Sequence, residues 1–218
     1  MKPAPFDYRR PESLAKAISL ADCAEGFVKF LAGGQTLGPM LNLRLVQPDL
    51  LIDISRLPEL GRVAEEDGHV SIGGGVTHAA IEDGAVPGAL GAALARIAGG
   101  IAYRSVRNRG SLGGSLAHAD PSAEWPSVML ALGAEIVVAG PGGRRTVPVE
   151  EFFAGAMTTS LGPAEIVEAV RLPAGARLGF VKLCRKAGEY ASALAVVARL
   201  PDGRLRAVAG ALDGPPRL

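Results

Sequence analysis

The chain has 218 residues, and its 23 basic and 22 acidic side chains leave a formal net charge of +1. With 48% hydrophobic and 21% charged residues, its composition is that of a folded globular protein and excludes an intrinsically disordered chain. The nearly balanced charge gives no overall attraction to nucleic acid or anionic lipid, and an aromatic content of 5% argues against a base-stacking surface.

Cysteine usage and the N-terminal sequence indicate a reducing compartment. Cys23 and Cys184 are far apart and form no C-x-x-C motif, so we expect no disulfide framework, and no metal site or iron–sulfur cluster held by this chain alone. The first residues lack the apolar stretch of a signal peptide, and no apolar run approaches the roughly 20 residues that span a bilayer. We therefore expect a cytoplasmic protein with no membrane span.

Hydrophobic periodicity, with glycine and proline as boundaries, predicts helices and strands along the whole chain. In chain order we predict a helix over residues 14–23, a strand over 27–31, a short helix over 37–45, strands over 49–54 and 69–73, helices over 77–82 and 87–98, a loop over 103–110 leading into 111–115, a helix over 123–132, and strands over 134–139, 144–148, 165–172, 179–185, 192–200 and 205–212. This order indicates a mixed α/β or α+β protein and excludes a repeating parallel βαβ fold.

Glycine is abundant, with 29 residues, and two of its pairs are flanked by hydroxyl or amide side chains. Gly33-Gly34 directly follows a predicted strand, and Gly113-Gly114 lies in the segment 111–116. Glycines without Cβ let consecutive backbone N–H groups converge on an anion, so a diphosphate could engage both loops at once. For either pair taken alone, a tight turn is the favoured interpretation, and neither pair matches a G-x-G-x-x-G or Walker motif. The residues by themselves leave both interpretations open.

Longer motifs surround these pairs. They are LAGGQTLGPMLNLRLVQPDLLIDISRLPEL over 31–60 and IAYRSVRNRGSLGGSLAHADPSAEWPSVMLALGAEIVV over 101–138, with IGGGVTHAAIE between them and EFFAGAMTTSLGPAEIVEAVRLP and FVKLCRKAGEYASALAVVA after them. In order and separation these segments resemble the flavoprotein subunits of molybdenum hydroxylases, of the carbon monoxide dehydrogenase and xanthine dehydrogenase type. The resemblance covers essentially the whole chain.

The resemblance implies an α+β, two-subdomain PCMH-type FAD-binding fold, similar to that of vanillyl-alcohol oxidases, with noncovalently bound FAD. It divides the chain into an FAD-binding domain of two α/β subdomains over 1–175 and the start of a C-terminal domain over 176–218. The family normally carries further strands and helices after the K-L-x-R-K segment. We therefore expect a shortened C-terminal β region.

Position by position, the resemblance implies cofactor contacts but no catalytic residue. The contacting residues would be Ala32, Gly33, Gly34, Gln35, Thr36, Leu37, Ala102, Ser111, Leu112, Gly113, Gly114, Ser115, Asp120, Glu124, Ile166 and Lys182. The first five would line the adenosine and diphosphate side, and 111–115 would complete the diphosphate cradle. Ala102, Ile166 and Lys182 would lie near the flavin. Glu124 stands where many members have an aspartate that bonds ribityl or ribose hydroxyls.

Other candidates have weaker assignments. His78 and His118 could be acid–base groups or flavin attachment points, but we expect both to be structural or local hydrogen-bonding residues. Asp120 is expected to order its loop or touch the cofactor, and Tyr190 could approach the flavin or simply pack. The arginines of 104–109 could face solvent, contact the flavin or dock a partner, and we expect docking through Arg104 and Arg107.

For function, the resemblance implies an electron-transfer subunit of a heteromeric molybdopterin-dependent hydroxylase or dehydrogenase. Electrons would pass from a large molybdopterin-binding subunit through a small [2Fe-2S] subunit to FAD in this chain, and then to an external acceptor. Two alternatives remain open at this point. One is a stand-alone flavin oxidoreductase of the same fold, and the other is a non-catalytic scaffold that has lost FAD.

Overall fold

The computed structural model describes residues 2–218 and builds them from helices and four β-sheets. The helices are α1 (Leu14–Asp22), α2 (Leu37–Asn42), α3 (His78–Glu82), α4 (Gly88–Gly99), α5 (Arg104–Arg107), α6 (Leu112–His118), α7 (Glu124–Leu132) and α8 (Val149–Phe152), with a 3-10 helix at Pro58–Gly61. The strands are β1 (Asp7–Arg9), β2 (Val28–Leu31), β3 (Leu50–Asp53), β4 (Val63–Glu66), β5 (His69–Gly73), β6 (Glu135–Gly140), β7 (Gly143–Pro148), β8 (Phe153–Gly155), β9 (Thr158–Thr159), β10 (Ile166–Pro173), β11 (Arg177–Leu183), β12 (Ala193–Arg199) and β13 (Leu205–Gly210).

The N-terminal part is a small parallel sheet covered by one helix. Strand order is β1-β3-β2, and β3 pairs in parallel with both neighbours. Helix α1 begins at Ser13, whose side chain accepts a hydrogen bond from the N–H of Lys16. The buried residues Leu14 and Ile18, four apart on one helix face, pack in a common core with Ile52 of β3.

The central part is a five-stranded antiparallel sheet packed against helices. Its order is β4-β5-β10-β6-β7, so the late strand β10 lies in the middle. Helix α7 is buried along its whole length, including Trp125. It contacts β10 on one side and β12 and β13 on the other, which explains why this helix shows little polar face.

The last three strands form an antiparallel sheet, β11-β12-β13, whose side chains alternate between two environments. The inner residues Leu194, Val196, Ala198 and Val208 share the central core with α7. The outer face exposes the apolar side chains of Val181, Leu183, Val197 and Leu205. Residues 177–210 are therefore joined to the central part by a common core.

The predicted α+β class is confirmed, as are helices α1, α3, α4 and α7 and most strands. Three differences matter for the site. The strands β1 and β4 and the pair β8–β9 were not predicted, because each is short. Residues 104–107 form α5 where a loop was predicted. Residues 112–118 form α6, whose start is obscured in the sequence by two glycines of low helix propensity.

Residues Gly73 to Gly75 have no side chains, so their backbone lies closer to neighbouring backbone than any other residue type would allow. The N–H of Gly74 donates to the oxygen of Glu168 at 2.8 Å, and a Cβ on Gly74 would lie 2.1 Å from the oxygen of Val167 in β10. Residue 74 must therefore be glycine for the loop to rest against the central strand.

Replacing Gly74 with Ala should destabilise the fold by about 2 kcal/mol, because backbone atoms would have to move apart. Gly142→Ala is the matched control, since a Cβ there meets no atom within 4 Å. Urea unfolding of both variants measures the difference. Equal midpoints would contradict the proposed role of Gly74.

Candidate functional site: a cleft between two glycine segments

A cleft of about 1300 Å³ lies where the N-terminal part meets the central part. Its walls include residues 32–37 on one side and the start of α6 on the other, with 162–165 and residues of β11 and the following loop at its ends. The volume exceeds the roughly 300–1,000 Å³ of pockets for drug-sized ligands. It is suited to a larger, elongated molecule such as a dinucleotide.

The first segment presents unpaired hydrogen-bond donors to this cleft. After β2 the chain turns through Gly34, which has φ +72°, and enters α2. Within residues 2–218, none of the hydrogen bonds uses the backbone N–H of Gly34, Gln35 or Thr36. Three consecutive free N–H groups on a cleft wall form a ready site for an anion.

Gly33 brings the two segments together. A Cβ at this position would lie 1.9 Å from the oxygen of Arg109 and 2.8 Å from the Cα of Gly110. The oxygen of Gly33 also accepts a hydrogen bond from Nε of Arg109 at 3.3 Å. The backbone of the first segment thus rests directly on that of the second, and any side chain on residue 33 would separate them.

The second segment differs from the first because its N–H groups are already used. The N–H of Gly113 donates to the oxygen of Gly74 at 2.8 Å, and that of Gly114 donates to Oγ of Ser111 at 3.2 Å. Gly113 is buried against Gly74, whereas Gly114 and Ser115 line the cleft. The second pair therefore does not leave its N–H groups free for an anion as the first segment does, and the residues Ser111 and Ser115 lie at the cleft there.

The structure brings most of the predicted contact residues to the cleft. Those that line it are Ala32, Gly33, Gly34, Gln35, Thr36, Leu37, Ala102, Ser111, Gly114, Ser115, Asp120, Glu124 and Lys182. Leu112, Gly113 and Ile166 are not on the cleft surface, because their positions are buried in the interior. Leu112 and Ile166 belong to the hydrophobic cores and Gly113 to a backbone contact, so their contribution is packing.

Glu124 and Lys182 form a buried ion pair on the cleft wall, which the sequence did not predict. The Nζ of Lys182 lies 2.6 Å from Oε1 of Glu124 and also donates to the oxygen of Gly100 at 3.3 Å. Only 7% of the Glu124 side chain and 9% of the Lys182 side chain are exposed. The pair ties the start of α7 to β11 across 58 positions of sequence, a separation that no local pattern reveals.

Lys182→Met should destabilise the protein by about 3 kcal/mol, because it leaves the Glu124 carboxylate buried without its partner. The double variant Lys182→Met with Glu124→Gln should recover most of that loss, since no buried charge then remains. Urea unfolding of the two single variants and the double variant measures this coupling. Additive effects would show that the two charges do not interact.

Ala102 lies on the same wall with an unusual backbone. Its φ of +43° falls in the left-handed region, where residues other than glycine are uncommon. Arg107 Nη1 holds this turn by donating to the oxygens of Ile101 at 2.9 Å and Ala102 at 3.1 Å. Gly188 packs over it so closely that a Cβ would lie 2.9 Å from the oxygen of Ala102.

The arginines of α5 do not form a free basic surface. Arg104 pairs with Glu82 at 2.8 Å and with Asp83 at 2.5 Å, and Arg107 pairs with Glu82 at 2.8 Å. The hydrogen bond from Arg107 lowers the pKa of Glu82, and that from Arg104 lowers the pKa of Asp83. Acidic neighbours therefore neutralise Arg104 and Arg107, and Arg107 also holds the Ala102 turn. The free basic cluster on which the expected partner docking depended is absent at these two residues.

His78 is a buried hydrogen-bond acceptor. The indole Nε1–H of Trp125 donates to its Nδ1 at 3.1 Å, which places the remaining proton on Nε2. Burial, followed by the charge of Arg107, lowers the pKa of His78 to about 4. The imidazole is thus neutral at physiological pH and has a structural, locally hydrogen-bonding role, as expected.

This lowered pKa makes the stability of the fold depend on pH. Below about pH 6.5 the unfolded chain protonates this histidine, whereas the folded chain does so only near pH 4, so stability falls as the pH decreases through that window. Between about pH 7 and pH 5, the free energy of unfolding should fall by about 2 kcal/mol more in the wild type than in His78→Gln. Urea unfolding at both pH values measures this, and equal losses would show that His78 is not shielded.

Three further polar residues line the cleft: His118, Asp120 and Tyr190. Oδ1 of Asp120 accepts the N–H of Ser122 at 2.9 Å, so it orders its loop. The ring of Tyr190 lies at the cleft mouth with 64% of the residue exposed. Partial desolvation of its side chain, and then the nearby charges of Asp120 and Glu124, raise the pKa of Tyr190.

Comparison with known proteins shows the family of the chain. The family described as FAD binding domain in molybdopterin dehydrogenase matches residues 4–175. The chain belongs to this family. FAD is accordingly its cofactor, and the chain is an oxidoreductase subunit of the molybdenum hydroxylase type. The free N–H groups and the size of the cleft suit a molecule that carries a diphosphate.

Two curated relatives of this FAD-binding subunit are similar over nearly its full length. The carbon monoxide dehydrogenase medium chain of Hydrogenophaga pseudoflava is 40% identical over 203 residues, covering 91% of this chain and 71% of the relative. The nicotine 6-hydroxylase medium subunit of Paenarthrobacter nicotinovorans is 38% identical over 216 residues, covering 98% of this chain and 76% of the relative.

Solved structures confirm the fold of the subunit. Carbon monoxide dehydrogenase from Hydrogenophaga pseudoflava superposes with a TM-score of 0.91 at 36% identity, covering 100% of this chain and 78% of that chain. Quinoline 2-oxidoreductase from Pseudomonas putida 86 superposes with a TM-score of 0.90 at 36% identity, covering 99% and 77%. The predicted family, PCMH-type fold and FAD cofactor are confirmed.

Within residues 2–218, no helix is long and apolar enough to cross a membrane. The same residues contain no group of three or more His, Cys, Asp or Glu side chains arranged for a metal ion.

Proposed function

We propose that this FAD-binding subunit holds FAD noncovalently in the cleft and carries electrons from iron–sulfur clusters in another subunit to an external acceptor. The observation that supports this best is the set of free N–H groups at Gly34, Gln35 and Thr36, residues that line the cleft together with the start of α6. Two segments that meet through backbone contacts thereby form one site for an elongated, anionic cofactor.

In this proposal the residues of the cleft have separate tasks. The N–H groups of residues 34–36 bind the diphosphate, and the hydroxyls of Ser111 and Ser115 donate to it from the other side. Ala102, Glu124 and Lys182 hold the flavin end and exclude water from it. When bound, FAD supplies the redox chemistry, and the protein supplies binding, orientation and electrostatics.

The partners follow from the chemistry that this chain lacks. It has two cysteines, whereas a [2Fe-2S] cluster takes four ligands, mostly cysteine thiolates. We infer a small [2Fe-2S] subunit and a large molybdopterin-binding subunit, assembled with this chain in the cytoplasm. The relatives' names, medium chain and medium subunit, support such an assembly. We also propose the division into residues 1–175 and 176–218, the latter beginning a second domain that shares its core with α7.

A stand-alone flavin oxidoreductase receives less support. It would need an acid–base group beside its substrate, and His78 is neutral, buried and hydrogen-bonded to Trp125. The electron-transfer role needs no such group in this chain. A scaffold without FAD would not need the free N–H groups of residues 34–36 on the cleft wall.

Gly114→Val should weaken FAD binding by about tenfold or more, equal to about 1.4 kcal/mol. A Cβ on Gly114 would lie 2.9 Å from Oγ of Ser111 and 3.9 Å from the Cβ of Ala32 across the cleft, so the valine methyl groups would fill the space between the segments. Gly38→Val is the matched control, because a Cβ there meets no atom within 4 Å and residue 38 does not line the cleft.

The measurement is titration of each flavin-free variant with FAD, followed by visible absorbance and fluorescence. Unchanged affinity in a folded Gly114→Val protein would contradict the assignment of the cleft. Acid precipitation of the loaded protein should release the flavin into the supernatant, and colour retained in the washed pellet would contradict noncovalent binding.

A further inference from the structure

The peptide group between Gly33 and Gly34 has little intrinsic restraint on its orientation. A peptide group can rotate as a unit, which exchanges the directions of its C=O and its N–H, and a Cβ on either flanking residue restricts that rotation. Neither flanking residue carries a Cβ here, and Gly34 has φ +72°, a value that glycine adopts freely. Contacts with other groups must therefore fix the orientation of this peptide group.

Two side chains hold the carbonyl of this peptide group. Nε of Arg109 donates to the oxygen of Gly33 at 3.3 Å, and Nε2 of Gln35 donates to the same oxygen at 3.2 Å. Arg109 is exposed, and within residues 2–218 its side chain makes no ion pair and no other hydrogen bond. Both donors thus act on one oxygen, and the guanidinium has no other partner among the described residues.

The direction of this carbonyl decides where the N–H of Gly34 points. Residues 2–218 contain no cis peptide bond, so the oxygen of Gly33 and the N–H of Gly34 project from opposite edges of one plane. Gly34 lines the cleft, whereas Arg109 does not. With the oxygen held on the side of Arg109, the N–H points away from that side. The reverse orientation would place a carbonyl oxygen, with its partial negative charge, where an anion is to bind.

We propose that Arg109 is a positioning residue for FAD. Through Gly33 it holds the peptide group so that the N–H of Gly34 is directed at the diphosphate, and Gln35 supplies the second hydrogen bond. The inference rests on the proposed function, in which the N–H groups of residues 34–36 bind that diphosphate. A cation on the carbonyl oxygen also polarises the peptide group and strengthens its N–H as a donor. Arg109 acts in this way without touching the phosphate groups.

Replacements of similar length separate the hydrogen bond of Arg109 from its charge. Nε2 of glutamine lies as many bonds from Cα as Nε of arginine, so Arg109→Gln keeps the donor and removes the charge. Arg109→Met removes both, and Gln35→Met removes the second donor. The matched control is Arg199→Met, because Arg199 is an exposed arginine of β12 that does not line the cleft.

Titration of each flavin-free protein with FAD and with riboflavin, which has no diphosphate, measures the effect. We expect Arg109→Met to weaken FAD binding about fivefold, the usual effect of losing one hydrogen bond, and the double variant with Gln35→Met to weaken it at least about twentyfold. Arg109→Gln and Arg199→Met should bind FAD as the wild type does. Riboflavin affinity should be the same in all the proteins.

Two results of these titrations would overturn the proposal. If Arg109→Gln binds FAD as weakly as Arg109→Met, the charge of Arg109 matters and its hydrogen bond does not. If Arg109→Met loses affinity for riboflavin and FAD equally, Arg109 supports the fold of the cleft in general and has no specific effect on the diphosphate.

Failure of the proposed function gives a different result. Wild-type protein that binds FAD and riboflavin equally tightly would contradict diphosphate binding by residues 34–36. Crystal structures of the flavin-free wild type and of the Arg109→Met, Gln35→Met double variant would still test the role of the two donors. We expect the carbonyl of Gly33 to turn towards the cleft in the double variant only. The same orientation of this carbonyl in both structures would overturn the proposal.

Discussion

The cleft exists because two segments of backbone meet without side chains between them. Gly33 rests on the carbonyl of Arg109, with 76 positions of sequence separating the two residues. The contact places the open turn of residues 34–36 opposite the start of α6. A methyl group at residue 33 would force the N-terminal and central parts apart, and the walls of the cleft would no longer face one ligand. Every role proposed for the site depends on this approach.

The two glycine segments look alike in sequence but act differently. In the first, the backbone N–H groups after Gly33 stay free and can bind an anion. In the second, Gly113 donates its N–H to Gly74 and the Ser111 side chain takes that of Gly114. One loop therefore leaves donors free on the cleft wall, and the other is a packed helix start with serine hydroxyls beside the cleft. Glycine permits close approach of protein backbone in both, of Gly33 to Arg109 in the first and of Gly113 to Gly74 in the second.

Charge around the Ala102 end of the cleft is arranged in internal pairs. Glu82 and Asp83 neutralise the arginines of α5, and Glu124 neutralises Lys182. The pairs fix the position of the Ala102 turn and of β11 relative to α7, so they shape this wall of the cleft. The buried Glu124–Lys182 pair contributes little net stability, because desolvation offsets much of its attraction. Together, the ion pairs hold this wall of the cleft in one conformation.

From the sequence alone, the α+β class, the main helices and strands, the family and its FAD cofactor could be predicted, because hydrophobic periodicity and long motifs are local patterns along the chain. Most of the residues that the motifs named as cofactor contacts line the cleft. They could not show that Leu112, Gly113 and Ile166 are buried, that Lys182 pairs with Glu124, or that acidic side chains neutralise Arg104 and Arg107. Each of these depends on which distant residue becomes a neighbour in space. Burial, hydrogen-bond saturation and charge pairing arise only when the sheets and helices pack, so the tertiary structure alone decided them.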